Sequence, residues 1–121
     1  MAGADNLSVH VANNISSQKY QMIKHIVFWR FMEQADGHTK SENLLRAKSL
    51  LEPLPATIPG IASFEVGLNV DTTADAADLV LNSEFPSLRE LKAYQAHPDH
   101  LRVVEFLGKV KLEKRVVDYE V

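Results

Sequence analysis

The chain has no cysteine, and this excludes disulfides, a thiolate nucleophile and a zinc site built on sulfur ligands. No apolar run approaches the length of a membrane span, and the first residues lack the order of basic, apolar and small residues that marks a signal peptide. A net charge of −3 leaves no excess of Lys and Arg for a phosphate backbone. We therefore expect a cytoplasmic protein that binds neither membrane nor nucleic acid.

The length of 121 residues, with 45% hydrophobic and 24% charged side chains, is typical of one globular domain. The first 21 residues are rich in Asn, Ser and Ala, and the regular apolar pattern begins after them. We expect an N-terminal extension over residues 1–21 and a domain over residues 22–121. The apolar residues Leu7, Val9 and Val11 alternate, which is typical of a short edge strand. The alternative is that the segment is a leader.

Alternating side chains predict four strands in the domain. Those of the first strand divide into one face with His25, Val27, Trp29 and Phe31 and another with Ile26 and Phe28. Further strands are predicted over residues 61–68, 79–81 and 109–121. Because both faces of the first strand are apolar, both need to be covered.

Two capping-box spacings, Thr39 with Glu42 and Ser87 with Glu90, predict helix starts. A break at Pro98 divides the second helical region, and Gly108 is expected to end it. Apolar positions at helical spacing predict the buried side chains, which are Leu44, Ala47, Leu50, Leu51 and Leu54 in the first region and Leu88, Leu91, Leu101, Val104 and Leu107 in the second.

The resulting order, β-α-β-β-α-β, is that of a ferredoxin-like α+β fold with an antiparallel four-stranded sheet and helices on one face. The other face would expose large apolar groups, and burying one such side chain contributes about 1.5 to 3 kcal/mol. A monomer with this surface would associate with other molecules. We therefore predict a homodimer in which one sheet packs on the other.

The ordered motifs of the domain resemble the stress-responsive A/B barrel family, also called Dabb domains. They are Met22 to Phe28, Ile58 to Ile61 with Gly67 and Asn69, Leu79 to Leu81 before Phe85, Tyr94 to His100, and Val117 to Tyr119. The resemblance covers about residues 22–121 and implies a dimeric α/β barrel. It implies no single activity, because many members are known only as stress-associated proteins and some plant members are polyketide cyclases.

The same resemblance implies candidate site residues. In the cyclases a Tyr and a His at this spacing act as a pair, and here these positions are Tyr94 and His100, our candidate catalytic residues. His25 matches the first-strand histidine of the family, whereas the third-strand histidine of the cyclases is replaced by Leu79. The predicted ligand-binding set is His25, Trp29, Leu79, Tyr94, His97 and His100.

Three functions are compatible with these residues. The first is a binder of a small apolar or aromatic molecule, lined by imidazoles and a phenol. The second is a cyclase- or lyase-like enzyme in which His100 is a general base and Tyr94 orients a carbonyl, with a monooxygenase as a weaker alternative. The third is a non-catalytic, stress-linked interaction protein. We expect no cofactor and no metal, since His97 and His100 lack a fixed third ligand.

Overall fold

A computed structural model describes residues 21–121 of the chain. The possible strand at Leu7, Val9 and Val11 lies outside the described residues. The strands are β1 (Ile23–Phe31), β2 (Gln34–Ala35), β3 (His38–Thr39), β4 (Ser63–Leu68), β5 (Leu79–Phe85) and β6 (Lys111–Glu120). The helices are α1 (Lys40–Leu51), α2 (Leu54–Thr57), α3 (Leu88–Ala96) and α4 (Pro98–Val110).

The long strands form one antiparallel sheet in the order β4-β5-β1-β6, which confirms the predicted ferredoxin-like arrangement. Strand β1 lies inside the sheet because it pairs with both β5 and β6. Strand β5 continues four residues beyond the predicted end at Leu81. No helix within residues 21–121 is both long enough and apolar enough to cross a membrane.

Asp36 and Gly37 form the turn of a small hairpin between β2 and β3. Both residues have positive φ, 53° and 78°, which is the geometry that two-residue hairpin loops require. Thr39 then caps α1, and both hydrogen bonds of the predicted capping box with Glu42 are present. This cap fixes the residue at which α1 begins.

The predicted buried faces of the helices are partly wrong. Four of the predicted residues are exposed and do not belong to the core, namely Leu50 at 42%, Leu88 at 55%, Leu101 at 52% and Val104 at 39%. Helix α4 instead buries Val103, Leu107 and Val110, which are spaced four and three residues apart, as a single helical face requires. The helix also passes through Gly108, because the buried Val110 extends its packed face by another turn.

The two faces of the sheet differ as the alternation in β1 predicts. His25, Val27 and Trp29 face the helices and are buried. Ile26 and Phe28 face the other way, where no helix of residues 21–121 covers them, and Phe28 is 43% exposed. We call this side the open face. Cross-strand pairing places Val80, Val117 and Tyr119 on it as well, because each lies opposite an open-face residue of β1.

Candidate functional site

The break between α3 and α4 brings a phenol and an imidazole together. His97 is the residue between the two helices, with an extended backbone, and its Nδ1 accepts a hydrogen bond of 3.0 Å from the amide of Asp99. Pro98 opens α4, where a missing N–H has no cost. The rings of Tyr94 and His100 consequently lie with their centroids 4.4 Å apart, although the residues belong to different helices.

Tyr94 is fully buried, and its hydroxyl has no hydrogen-bond partner within the described part of the chain. The ring is surrounded by other aromatic groups, with centroid distances of 5.1 Å to Phe85 and 6.1 Å to Phe64. Burial raises the pKa of the phenol well above its usual range, so the hydroxyl keeps its proton at neutral pH. A buried hydroxyl without a partner costs about 1 to 3 kcal/mol. Tyr94 is therefore a hydrogen-bond donor available to a ligand.

His100 is half-buried, and its Nδ1 lies 3.0 Å from the carbonyl oxygen of Gln95. Because a carbonyl only accepts, Nδ1 carries the proton and Nε2 of the neutral ring keeps a lone pair. Burial lowers the pKa of His100, and the hydrogen bond to Gln95 raises it. The nearby ammonium group of Lys114 and the proximity of His25 and His97 lower it further. The imidazole is thus mostly neutral at pH 7 and can accept a proton.

His25 is held in an equally defined orientation. Its Nδ1 is 2.5 Å from Oδ1 of Asp118, which lies directly opposite it on β6. Its backbone carbonyl accepts a hydrogen bond of 2.8 Å from the buried hydroxyl of Ser83 on β5. Because Nδ1 donates to the carboxylate, Nε2 is the ring nitrogen left to meet a ligand. The centroid of this ring is 6.2 Å from that of Tyr94.

These three side chains line a cavity of about 110 Å³ between the sheet and the helices α3 and α4. Most of its remaining walls are apolar, and they include side chains of β1, β5, β6 and α4. The rest of the lining is Val27, Trp29, Leu51, Leu81, Gln95, Val103, Val104, Leu107, Gly108, Lys111, Lys114 and Val116. Because Val104, Gly108 and Lys114 are exposed, the cavity reaches the protein surface.

The structure brings together four of the six predicted ligand-binding residues, namely His25, Trp29, Tyr94 and His100. Leu79 does not line this cavity, although it pairs with Trp29 across the sheet. His97 does not line this cavity, because its ring is used as the cap of α4.

A second cavity of about 490 Å³ lies on the open face, below the loop that joins β4 to β5. Its walls combine apolar groups such as Phe28 and Val80 with the charged side chains of Arg30, Glu113 and Arg115. Trp29 and Leu79 also contribute atoms to it. This concavity was not predicted from the sequence, since it depends on the path of a loop without regular structure.

Sequence reasoning also missed Asp118, Lys111 and Lys114 as residues of the site. Asp118 can be connected to His25 only when the pairing of β1 with β6 is known. Lys111 and Lys114 both line the cavity, although the charge pattern of the sequence does not distinguish them from lysines on a solvated strand. Their odd and even positions would place them on opposite faces of a regular strand.

A shift in register between Arg30 and Phe31 explains how both lysines reach one face. Lys114 lies opposite Trp29, whereas Lys111 lies opposite Phe31. Trp29 and Phe31 both face the helices, so their two partners do as well. The extra residue on β6 at this point is a bulge, which turns side chains away from simple alternation.

The family model described as Stress responsive A/B Barrel Domain matches residues 23–121 of the chain. The chain belongs to the stress-responsive A/B barrel family. This confirms the resemblance drawn from the sequence motifs, which covered nearly the same residues. Among curated relatives, a stress-response A/B barrel domain-containing protein of Arabidopsis thaliana is 33% identical over 90 residues, or 74% of this chain. The match spans about a third of that plant protein, 33% of its length.

Solved structures similar to this A/B barrel chain share its fold and several are dimers. A dimeric ferredoxin-like protein of unknown function from Bacteroides fragilis is 35% identical, with a TM-score of 0.69 over 83% of this chain and 96% of that one. A dimeric ferredoxin-like protein from Thermobifida fusca is 23% identical, with a TM-score of 0.72 over 84% and 92%. A hydroxynitrile lyase from Passiflora edulis is 19% identical, with a TM-score of 0.69 over 83% and 93%.

Proposed function

We propose that this A/B barrel protein binds a small, mainly apolar carbonyl compound in the cavity between sheet and helices. The observation that carries the proposal is the buried Tyr94 hydroxyl, which has no partner within residues 21–121 and is part of a residue that lines the cavity. A carbonyl oxygen would supply the missing acceptor. The apolar walls would hold the rest of the molecule, as in most small-molecule sites.

The size of the cavity limits the ligand. At about 110 Å³ it is smaller than the pockets of about 300 to 1,000 Å³ that hold drug-sized molecules. An apolar cavity of about 150 Å³ binds benzene. This cavity is smaller but reaches the surface, so the proposal is for a ligand with at most the bulk of one ring or a short branched chain. A long linear polyketide would need side chains at the mouth, such as Val104, to move.

A titration with two molecules of equal shape tests the proposal. Cyclohexanone and methylenecyclohexane differ only by an oxygen in place of a methylene group. We expect cyclohexanone to shift the ring resonances of Tyr94 and His100 and to bind about tenfold more tightly, the value of one good hydrogen bond in a buried site. Tyr94→Phe should remove this preference, whereas Tyr119→Phe on the open face should not. Equal binding of the two molecules, or no binding of either, would contradict the proposal.

A second candidate function, acid and base catalysis at the bound carbonyl, is supported by the tautomer of His100. Nε2 of His100 is free to remove a proton from the carbon beside the carbonyl, while the phenol of Tyr94 donates to the oxygen that gains negative charge. This is the proton transfer that starts an aldol reaction. A hydroxynitrile lyase has a similar fold, so that protein is an example of an enzyme with this architecture.

Proton exchange separates catalysis from binding alone. In D2O, an active site of this kind should exchange the α-hydrogens of cyclohexanone for deuterium faster than buffer does, by about 10² to 10⁴. His100→Gln should abolish the excess rate and leave cyclohexanone bound. If cyclohexanone binds but its α-hydrogens exchange only at the buffer rate, the catalytic proposal is wrong and the binding proposal stands.

We also propose that two copies pair through their open faces and close as a dimeric barrel. Support comes from the exposed apolar side chains of that face and from the dimeric relatives of the same fold. The proposed unit is the domain of residues 22–121, with residues 1–21 as an extension. A cytoplasmic location remains a prediction from the sequence.

A further inference from the structure

The fully charged side chains in the lining of the carbonyl cavity have the same sign. Lys111 and Lys114 belong to this lining, and among residues 21–121 no Asp or Glu does. Neither lysine forms an ion pair with another side chain of residues 21–121. The cavity therefore combines an apolar interior with a cationic rim.

The nearest acidic side chains on the same strand are already engaged. Asp118 is bound to Nδ1 of His25 at 2.5 Å. Glu113 lies opposite Arg30 on the open face and pairs with Arg115 at 2.8 Å. Both carboxylates are held away from the lysines, so the positive charge at the rim is not neutralised by the strand that carries it.

The bulge in β6 is what concentrates this charge. Without the register shift, Lys111 and Lys114 would point to opposite faces of the sheet. With it, both lie on the helix side, opposite Phe31 and Trp29. Lys114 is also close enough to His100 for its charge to act on the imidazole. A ligand that reaches His100 from the surface must pass beside these ammonium groups.

We propose that the ligand of this cavity carries a carboxylate as well as a carbonyl, with the carboxylate held at the rim by Lys114 and Lys111. This inference rests on the proposed carbonyl site and adds the class of ligand, a small oxo acid. The apolar part lies in the cavity, the carbonyl meets Tyr94, and the anionic end stays at the surface, where an ammonium group binds carboxylate well. The separation of the two polar regions favours an acid in which a few carbons divide the carbonyl from the carboxylate.

An acid and its amide provide the test, because they have nearly the same shape and differ in charge. We expect 4-oxopentanoate to bind about five- to tenfold more tightly than 4-oxopentanamide, the usual value of a charge-assisted contact near a surface. Raising the salt concentration should reduce this preference, since exposed charges are screened. Both ligands would be followed by calorimetry and by the His100 ring resonance.

Variants separate this inference from other roles of the lysines. Lys114→Gln should remove the preference for the acid and leave the affinity for the amide unchanged, while Lys114→Arg should retain it. Lys109→Gln is the matched control, because it removes the same charge from an exposed position outside the cavity. Lysines on an edge strand can also serve to prevent strand pairing between molecules. If Lys114→Gln promotes association without changing the preference, that role is the correct one and the inference is wrong.

The outcomes distinguish this inference from the proposal on which it rests. Equal binding of acid and amide by the wild type, with cyclohexanone still preferred over methylenecyclohexane, would overturn the oxo-acid inference and keep the carbonyl site. Absence of binding for all four molecules would overturn both. A preference for the acid that Lys114→Gln does not alter would place the carboxylate elsewhere and contradict the assignment to Lys114.

Discussion

Tyr94 and His100 lie with their ring centroids 4.4 Å apart across the break between two helices. Pro98 makes this contact possible, because α3 ends before it and α4 starts at it with a new direction. The phenol of Tyr94 keeps its proton, and the imidazole of His100 is neutral, with a proton on only one of its two nitrogens. The pair therefore presents one hydrogen-bond donor and one acceptor. Groups with these opposite properties are the components of acid and base catalysis.

Tyr94→Phe should not destabilise the protein, although the residue is fully buried. The substitution keeps the ring and its aromatic contacts and removes a hydroxyl that has no partner within residues 21–121. We expect the free energy of unfolding in urea to stay equal or to rise by about 1 kcal/mol. Tyr119→Phe, on the exposed open face, is the control and should have no effect. A loss of more than about 1 kcal/mol in Tyr94→Phe would show that the hydroxyl has a structural partner.

The stability of the protein should depend on the protonation of His100. Burial lowers its pKa below the usual 6.5, so the unfolded chain binds a proton more readily than the folded one. The stabilisation from neutral His100 is complete above pH 6.5 and is lost as the pH falls towards the lowered pKa. Urea unfolding between pH 5 and 8 should show that the free energy of unfolding falls more steeply towards acidic pH in the wild type than in His100→Asn. An NMR titration midpoint for His100 at or above 6.5 would contradict this prediction.

Asp118→Asn should disturb the orientation of His25. A charge-assisted bond to a carboxylate is about twice as strong as a neutral one, so the proton on Nδ1 is held by the negative charge of Asp118. Nitrogen-15 shifts should show Nδ1 protonated in the wild type and a weaker preference for a proton on Nδ1 in the variant. Glu120→Gln, two residues along the same strand, removes an equal charge without touching His25 and should keep the wild-type pattern. Identical shifts in all three proteins would contradict the assigned role of Asp118.

Phe28→Glu should separate the proposed dimer. Phe28 is 43% exposed on the open face, and a carboxylate there would be buried against the partner's sheet. Loss of one large apolar side chain from each copy corresponds to a dissociation constant at least about 100-fold higher. Leu88→Glu is the control, since Leu88 is an equally apolar, exposed residue on a helix. Sedimentation showing a monomer for the wild type, or a dimer for Phe28→Glu, would contradict pairing through this face.

The sequence was sufficient to predict the features that depend on local patterns. Alternation in β1 correctly divided His25 and Trp29 from Ile26 and Phe28, because side chains in a strand change face at every residue. Thr39 and Ser87 were correctly identified as helix caps, since their hydroxyls need only an amide three residues ahead. The order of strands and helices followed from these local signals.

Features that depend on packing were not predictable in this way. In α4, the residues Leu101, Val104 and Leu107 form a helical stripe as regular as that of Val103, Leu107 and Val110. Only the position of the sheet decides which stripe is buried. The cationic rim of the cavity was missed for a related reason, because it depends on a bulge that appears only when the two strands are paired.

A crystal structure of the protein soaked with cyclohexanone tests the central claim most directly. We predict the ketone inside the cavity between sheet and helices, with its oxygen within about 2.6 to 3.2 Å of the Tyr94 hydroxyl. The free Nε2 of His100 should face the ring carbons beside the carbonyl. A cavity that stays empty at saturating ketone, or a ketone bound only at another place with Tyr94 still unpartnered, would contradict the proposed site.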